Sequence, residues 1–159
     1  MLGGQILMKI INENDVVFGY LSYGNISGGK KRPILIIKER DESFKVYKIT
    51  SQFDNKSDYI KQAYYPIKNL DSAGLRKKSY VDLGQSRLVS KSKLNNSHII
   101  GKLSLEDIRD MKQFKSTIKE RRFELRNNKN IQRELKDYSQ KNPEIIPNNK
   151  QDKNINIHR

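Results

Sequence analysis

Five consecutive residues, Pro33-Ile34-Leu35-Ile36-Ile37, carry no polar side chain, and charged residues follow them at once. An apolar run this short and this continuous reads as a strand covered on both faces, not as the stripe of an amphipathic helix. It is the expected centre of the core, and neighbouring segments must supply both its hydrogen-bonding partners and its covers.

Strand patterns lie on both sides of it. DVVFGYL (15–21) mixes Val, Phe and Tyr, and YGNISGGKK (23–31) reads as a loop loosened by Gly24, Gly28 and Gly29. FKVYKIT (44–50) sets Phe44, Val46 and Lys48 against Lys45, Tyr47 and Ile49, with RDES (40–43) as the preceding turn. Between Gln52 and Asp71 the signals weaken: QFDNKSD reads as a polar loop, and YIKQAYYPI (59–67) as one more strand that Pro66 confines to an edge. SYVDLGQSRLV (79–89) puts Val81 and Leu83 on one face and predicts a bulge at Gly84, and IGKL (100–103) is expected to close the sheet.

Ser104 with Asp107 resembles a capping box, and Leu105, Ile108, Met111, Phe114 and Ile118 recur at helical spacing. A helix therefore follows the sheet and packs on it. Beyond Ile118 the composition turns to Lys, Arg, Asn and Gln; Phe123, Leu125, Ile131, Leu135 and Tyr138 support a further helix with RNNKN (126–130) as its weak point, and disorder is expected after Pro143. Strands first and helix last predict one domain over 1–118, a strongly curved antiparallel sheet or partly open barrel with a packed helix, and a basic extension over 119–159.

The formal charge of +14 favours a polyanionic partner such as nucleic acid, although Lys-rich composition alone supplies part of it. With no cysteine, disulfides, thiolate metal sites and a cysteine nucleophile are excluded. His98 and His158 lie far apart and form no ligand pair, so neither a metal nor any other cofactor is expected, and His98 reads as a loop residue. The opening MLGGQILMKII is broken by Gly3, Gly4, Gln5 and Lys9 and reads poorly as a signal peptide, and no stretch approaches the roughly 20 apolar residues of a membrane span. A soluble, cytoplasmic protein without membrane contact is the expectation.

Taken together, GGKKRPILII, YKITS, SYVDLGQSRLVSKSKL and IGKLSLEDI resemble the MazF/PemK family of toxins from bacterial toxin–antitoxin pairs, over roughly residues 12–118. The resemblance implies a mainly β fold with α, an SH3-like barrel carrying a C-terminal helix. It also implies a homodimer, a cognate antitoxin as partner, and metal-free cleavage of single-stranded RNA. It places Arg32 at the family's catalytic arginine and Thr50 at its catalytic threonine, with Ser51 and Gln85 near the groove. The loop GNISGGKK departs from the polar stretch usual before that arginine, so RNA sequence preference does not transfer, and the tail after about Lys119 has no counterpart.

The residue types suit that chemistry. RNA carries its own nucleophile in the 2′-hydroxyl, so the protein supplies alignment, charge stabilisation and proton transfer. Arg32 offers a planar fork of donors for the phosphoryl oxygens, and the Thr50 hydroxyl both donates and accepts; a solvated cation and an ordinary strand threonine are the plainer alternatives. Gly28 and Gly29 let backbone approach a phosphate or simply form the turn; Lys30 and Lys31 add unspecific phosphate attraction; Arg87 contacts RNA or pairs with Asp82. The tyrosines, mostly core or sheet surface, offer faces for unstacked bases, and the tail extends the RNA footprint or is a solvated helix. A non-catalytic nucleic-acid binder, DNA included, and a toxin acting on DNA gyrase remain alternatives on the same barrel.

Overall fold

The computed structural model describes residues 10–24 and 26–143, so the segment after Pro143 and His158 lie outside the described residues. The chain divides into two compact units, 1–122 and 123–159. In the first, strands β1 (Asp15–Ser22), β2 (Gly29–Glu39) and β3 (Ser43–Thr50) form a meander; α1 (Asp58–Lys61), β4 (Tyr64–Pro66), β5 (Tyr80–Ser90), a 3-10 turn (Lys91–Leu94), β6 (His98–Lys102) and α2 (Leu105–Ser116) follow. The strands form one antiparallel sheet in the order β4-β5-β3-β2-β1-β6. The fold is mainly β with α, and the sheet is not closed into a barrel.

The apolar run sits where expected. Ile34, Leu35 and Ile36 have no exposed surface, and alternate residues enter two separate cores. On one face Leu35 joins Val16, Tyr47, Ile49 and Val81 beneath Met111 of α2. On the other, Ile34 and Ile36 join Val17, Phe44, Val46, Val89 and Leu94. This second face is covered by curvature. Ladder register shifts at Val16/Val17, Ile36/Lys38 and Tyr47/Ile49 curl the sheet. The Arg87 guanidinium on β5 then donates to the Ser22 carbonyl on β1, although β2 and β3 lie between those strands in the sheet.

Several elements differ from the expectations. Gly29–Lys31, expected as loop, belong to β2, paired with Tyr20–Ser22, because the hairpin turn is made by Gly28 at φ +103° with Tyr23 N–H donating to its carbonyl, which lets the ladder extend into polar sequence. YIKQAYYPI is not one strand: the Ser57 hydroxyl accepts from Ile60 N–H and caps α1, leaving only Tyr64–Pro66 extended on the edge. IGKL extends the sheet at its other edge beside β1, and His98 lies in β6 opposite Phe18 and not in a loop. The predicted irregularity at Gly84 falls between the Val81 and Ser86 pairings with β3.

The capping box forms, and more hangs from it than a helix end. Ser104 Oγ accepts from Asp107 N–H and donates to Asp107 Oδ2, each at 3.1 Å. The fully buried Asp107 carboxylate also accepts from the Tyr65 hydroxyl at 2.7 Å and from the N–H groups of Lys68 and Asn69 at 2.9 and 3.0 Å. Thr117 interrupts the helical run, and α3 (Ile118–Lys141) then continues without a break through Arg126–Asn130, where the sequence predicts weakness. At its start Arg121 donates to the Gln62 carbonyl at 2.7 Å and lies 3.9 Å from the Phe114 ring centroid.

Burial opposes the Asp107 charge, but the hydrogen bonds from Asn69, Lys68, Tyr65 and Ser104 outweigh it and hold the carboxyl below its ordinary value. The stabilisation is present above the unfolded-state value near about pH 4 and is lost as pH falls through the depressed folded value. Asp107→Asn, which cannot accept all these bonds, is expected to cost about 3 kcal/mol at neutral pH in urea unfolding. The variant's stability should also fall less steeply than the wild type's below about pH 4.

Candidate nucleic-acid interface

The ladder arithmetic carries Arg32 to a place that the strand order alone does not reveal. Ile34 pairs with Lys48, and continuing that register by two residues sets Arg32 opposite Thr50. Thr50 pairs with Tyr80, and Tyr80 with Pro66. Directly opposed residues project to the same face. By strand alternation Arg32, Thr50 and Tyr80 lie on the second face. They align along one row if the β2–β3 register is carried past its last pair, Ile34 with Lys48, and Ile34, Lys48, Asp82 and Tyr64 form the next. On the β1 side Arg32 is opposite Gly19, which contributes no side chain to crowd it.

The rows are polar and aromatic in a region where the same face is otherwise apolar. Lys48 Nζ lies 3.4 Å from Asp82 Oδ2, both side chains half-buried. Phe53, from the segment after β3, stacks on Tyr80 with centroids 4.3 Å apart and planes 9° apart, and contacts Tyr64 at 6.3 Å. Lys61 lies 5.0 Å from the Phe53 centroid and Lys78 lies 5.8 Å from that of Tyr80. Burial raises the Tyr64 phenol above its usual range, the Asp82 charge adds to the rise, and the Arg32 charge works against it. Arg32 is therefore close enough for its charge to be felt at the far side of both rows.

Arg32 is half-buried, yet its Nε–H is sealed from solvent with no hydrogen-bond partner among the described residues. Leaving such a donor unmatched costs about 1–3 kcal/mol, so this arginine is held in place at some expense. Thr50 Oγ1 accepts from Gln52 N–H at 3.1 Å, which fixes the oxygen and leaves its proton free to donate.

The other candidates from the sequence are dispersed. Lys30 and Lys31 are exposed and, as neighbours in β2, project to opposite faces. Gly29 has a packing reason to be glycine, since a Cβ there would meet the Tyr20 ring at 2.5 Å and the Leu21 carbonyl oxygen at 2.7 Å. Ser51 is exposed and belongs to the helix-covered side with Ile49; Gln85 is exposed in the irregular stretch of β5. Arg87 is engaged by Ser22 and does not pair with Asp82, and its β3 partner Val46 is four residues, about 13 Å, from Thr50.

Lys48 and Phe53 were not among those candidates; Tyr64 and Tyr80 entered only among the tyrosines in general, and Asp82 only as a partner for Arg87. Lys48 could have been found: in FKVYKIT it follows Phe44 and Val46 on an otherwise apolar face. Among the described residues no group of three or more His, Asp or Glu side chains is placed to hold a metal ion, and no helix is long and apolar enough to cross a membrane. No protein-family model and no curated protein matches the chain.

The electrostatics can be read at Tyr64. In Asp82→Asn its hydroxyl should titrate at lower pH than in the wild type, and in Arg32→Ala at higher pH, followed through the ring carbon shifts by NMR. Equal titration in all three proteins would remove Arg32 from this surface.

Proposed function

We propose that the protein is a metal-independent endoribonuclease of the MazF/PemK type. It is the toxin of a toxin–antitoxin pair, cutting single-stranded RNA as a homodimer and silenced when its antitoxin covers the same surface. The open curved sheet is then a variant of that family's SH3-like barrel. The observation that carries this reading is the half-buried Arg32 guanidinium, its Nε–H unmatched, in one row with the Thr50 hydroxyl.

In the reaction the RNA 2′-oxygen attacks the adjacent phosphorus and the bond to the 5′-oxygen breaks, leaving a 2′,3′-cyclic phosphate and a 5′-hydroxyl. Charge gathers on the non-bridging oxygens, where the half-buried Arg32 guanidinium offers its terminal N–H donors. Thr50, its oxygen oriented by Gln52 N–H, donates to the phosphate and aligns it for in-line attack. Arg32 has no acceptor and Thr50 is too weak a base to take the 2′-proton. Within these rows Asp82 is the carboxylate that can accept it, held in place by Lys48 Nζ at 3.4 Å. The 5′-oxygen regains a proton from solvent or from Asp82 as the bond breaks.

Purified protein is expected to cut single-stranded RNA in EDTA and leave 2′,3′-cyclic phosphate ends. Arg32→Ala should lower the rate by about 10²–10³-fold and Thr50→Val by about ten-fold, with the far-ultraviolet circular dichroism spectrum unchanged. Asp82→Asn, which cannot accept the 2′-proton, should lower the rate by about 10²-fold or more. RNA left intact by the wild type, or binding unaffected by Arg32→Ala with no product, would reduce the protein to a binding module.

A further inference from the structure

The proposed reaction accounts for one phosphate and leaves the rest of the strand unplaced. On the helix-covered side the row of Val16 and Leu35 has no exposed surface, but the next row, Phe18 opposite Pro33, is left open. Phe18 is 38% exposed in the middle of a strand, an aromatic ring that the helices stop short of covering. It lines a cleft of about 360 Å³ with Pro33, Ile49 and Leu75. Arg76 and Lys77, exposed on the segment between β4 and β5, supply its cations, and no carboxylate is among its lining residues. Thr50 belongs to the same lining, so the cleft meets the proposed scissile position around the end of β3.

An open aromatic ring, an apolar slot and two unopposed cations match what one unstacked nucleotide presents, a flat face on one side and a phosphate on the other. The volume lies at the small end of ligand sites and suits one base with its sugar. We propose that this cleft holds the nucleotide next to the scissile phosphate of single-stranded RNA, its base against Phe18 and its phosphate on Arg76 and Lys77. The assignment rests on the nuclease reading for its location, and its test is separable from it.

The probe is a pool of 2′-O-methyl oligoribonucleotides of randomised sequence, which cannot be cut by 2′-attack, titrated by fluorescence anisotropy over a range of salt. Arg76→Glu with Lys77→Glu should weaken binding and flatten the salt dependence by about two phosphate contacts. Phe18→Ala should weaken binding about ten-fold with the salt slope kept, and Phe18→Tyr should restore it. Lys112→Glu with Lys119→Glu, a charge-matched exposed pair, should leave the slope near that of the wild type. Cleft variants that bind like the wild type, or a control pair with the same effect, overturn the assignment. If RNA is cut while the cleft variants bind normally, the nuclease reading survives and the cleft assignment fails. If the pool is bound through the cleft but natural RNA is never cut, the reverse holds; a wild type that binds no RNA ends both.

Discussion

A carboxylate with no exposed surface holds the helical side of this protein together. Asp107 belongs to the first turn of α2, where the helix dipole and the Ser104 cap favour negative charge, and it spends its remaining lone pairs on the Tyr65 hydroxyl and on two backbone N–H groups that follow β4. One side chain thereby fixes the register of a helix against an edge strand of only three residues, too short to be held by its ladder alone. The Tyr65 hydroxyl is kept protonated in turn, its acidity suppressed by burial and by the carboxylate it serves. Adjacent β4 residues face opposite sides of the sheet, so anchoring Tyr65 also places Tyr64 across the strand from it.

That alternation links the scaffold to the candidate site. Every strand crossing the centre of the sheet contributes to both faces, and the apolar run of β2 demands that both be dry. Toward one end of the second face Lys48, Asp82 and Arg32 replace apolar residues, and there the charges are arranged against each other and against three stacked or tilted rings. Lys48 and Asp82 neutralise one another, and Asp82 and Arg32 act with opposite sign on Tyr64. Arg32 is the member whose Nε–H is left over.

Elements with strong periodicity were legible in the sequence. The β2 run, the FKVYKIT alternation, the Ser104–Asp107 cap and the irregularity near Gly84 all carry local chemistry that determines local structure. The failures share a cause as well. Gly29–Lys31 look like loop because glycine and lysine carry no apolar side chain, yet a hairpin ladder is made by backbone and needs none once Gly28 turns the chain. His98 enters β6 because β1 offers it a free edge, which no window around His98 records. Arg32 and Thr50 were selected by resemblance. Their shared row depends on two ladders, and the aromatic and charged neighbours depend on contacts between segments far apart in the chain, as Lys48 is from Asp82 and Phe53 from Tyr80.

The chain's excess of positive charge acquires a direction from this arrangement. Spread evenly, a formal +14 would attract any polyanion with equal weakness and repel itself. The cations around the candidate site are instead of two kinds. Lys61 and Lys78 lie over aromatic rings, where a charge is attracted by the ring and kept out of full contact with solvent; Lys30, Lys31, Arg76 and Lys77 stand free. The free ones can draw a flexible polyanion from a distance without selecting its geometry, because a mobile ammonium accepts a phosphate from many directions. On the proposed reading selection falls to Arg32, whose guanidinium is half-buried and so restricted in the directions from which an anion can meet it. Attraction and discrimination thus reside in different residues, and a polymer of phosphates fits that division better than a single small anion does.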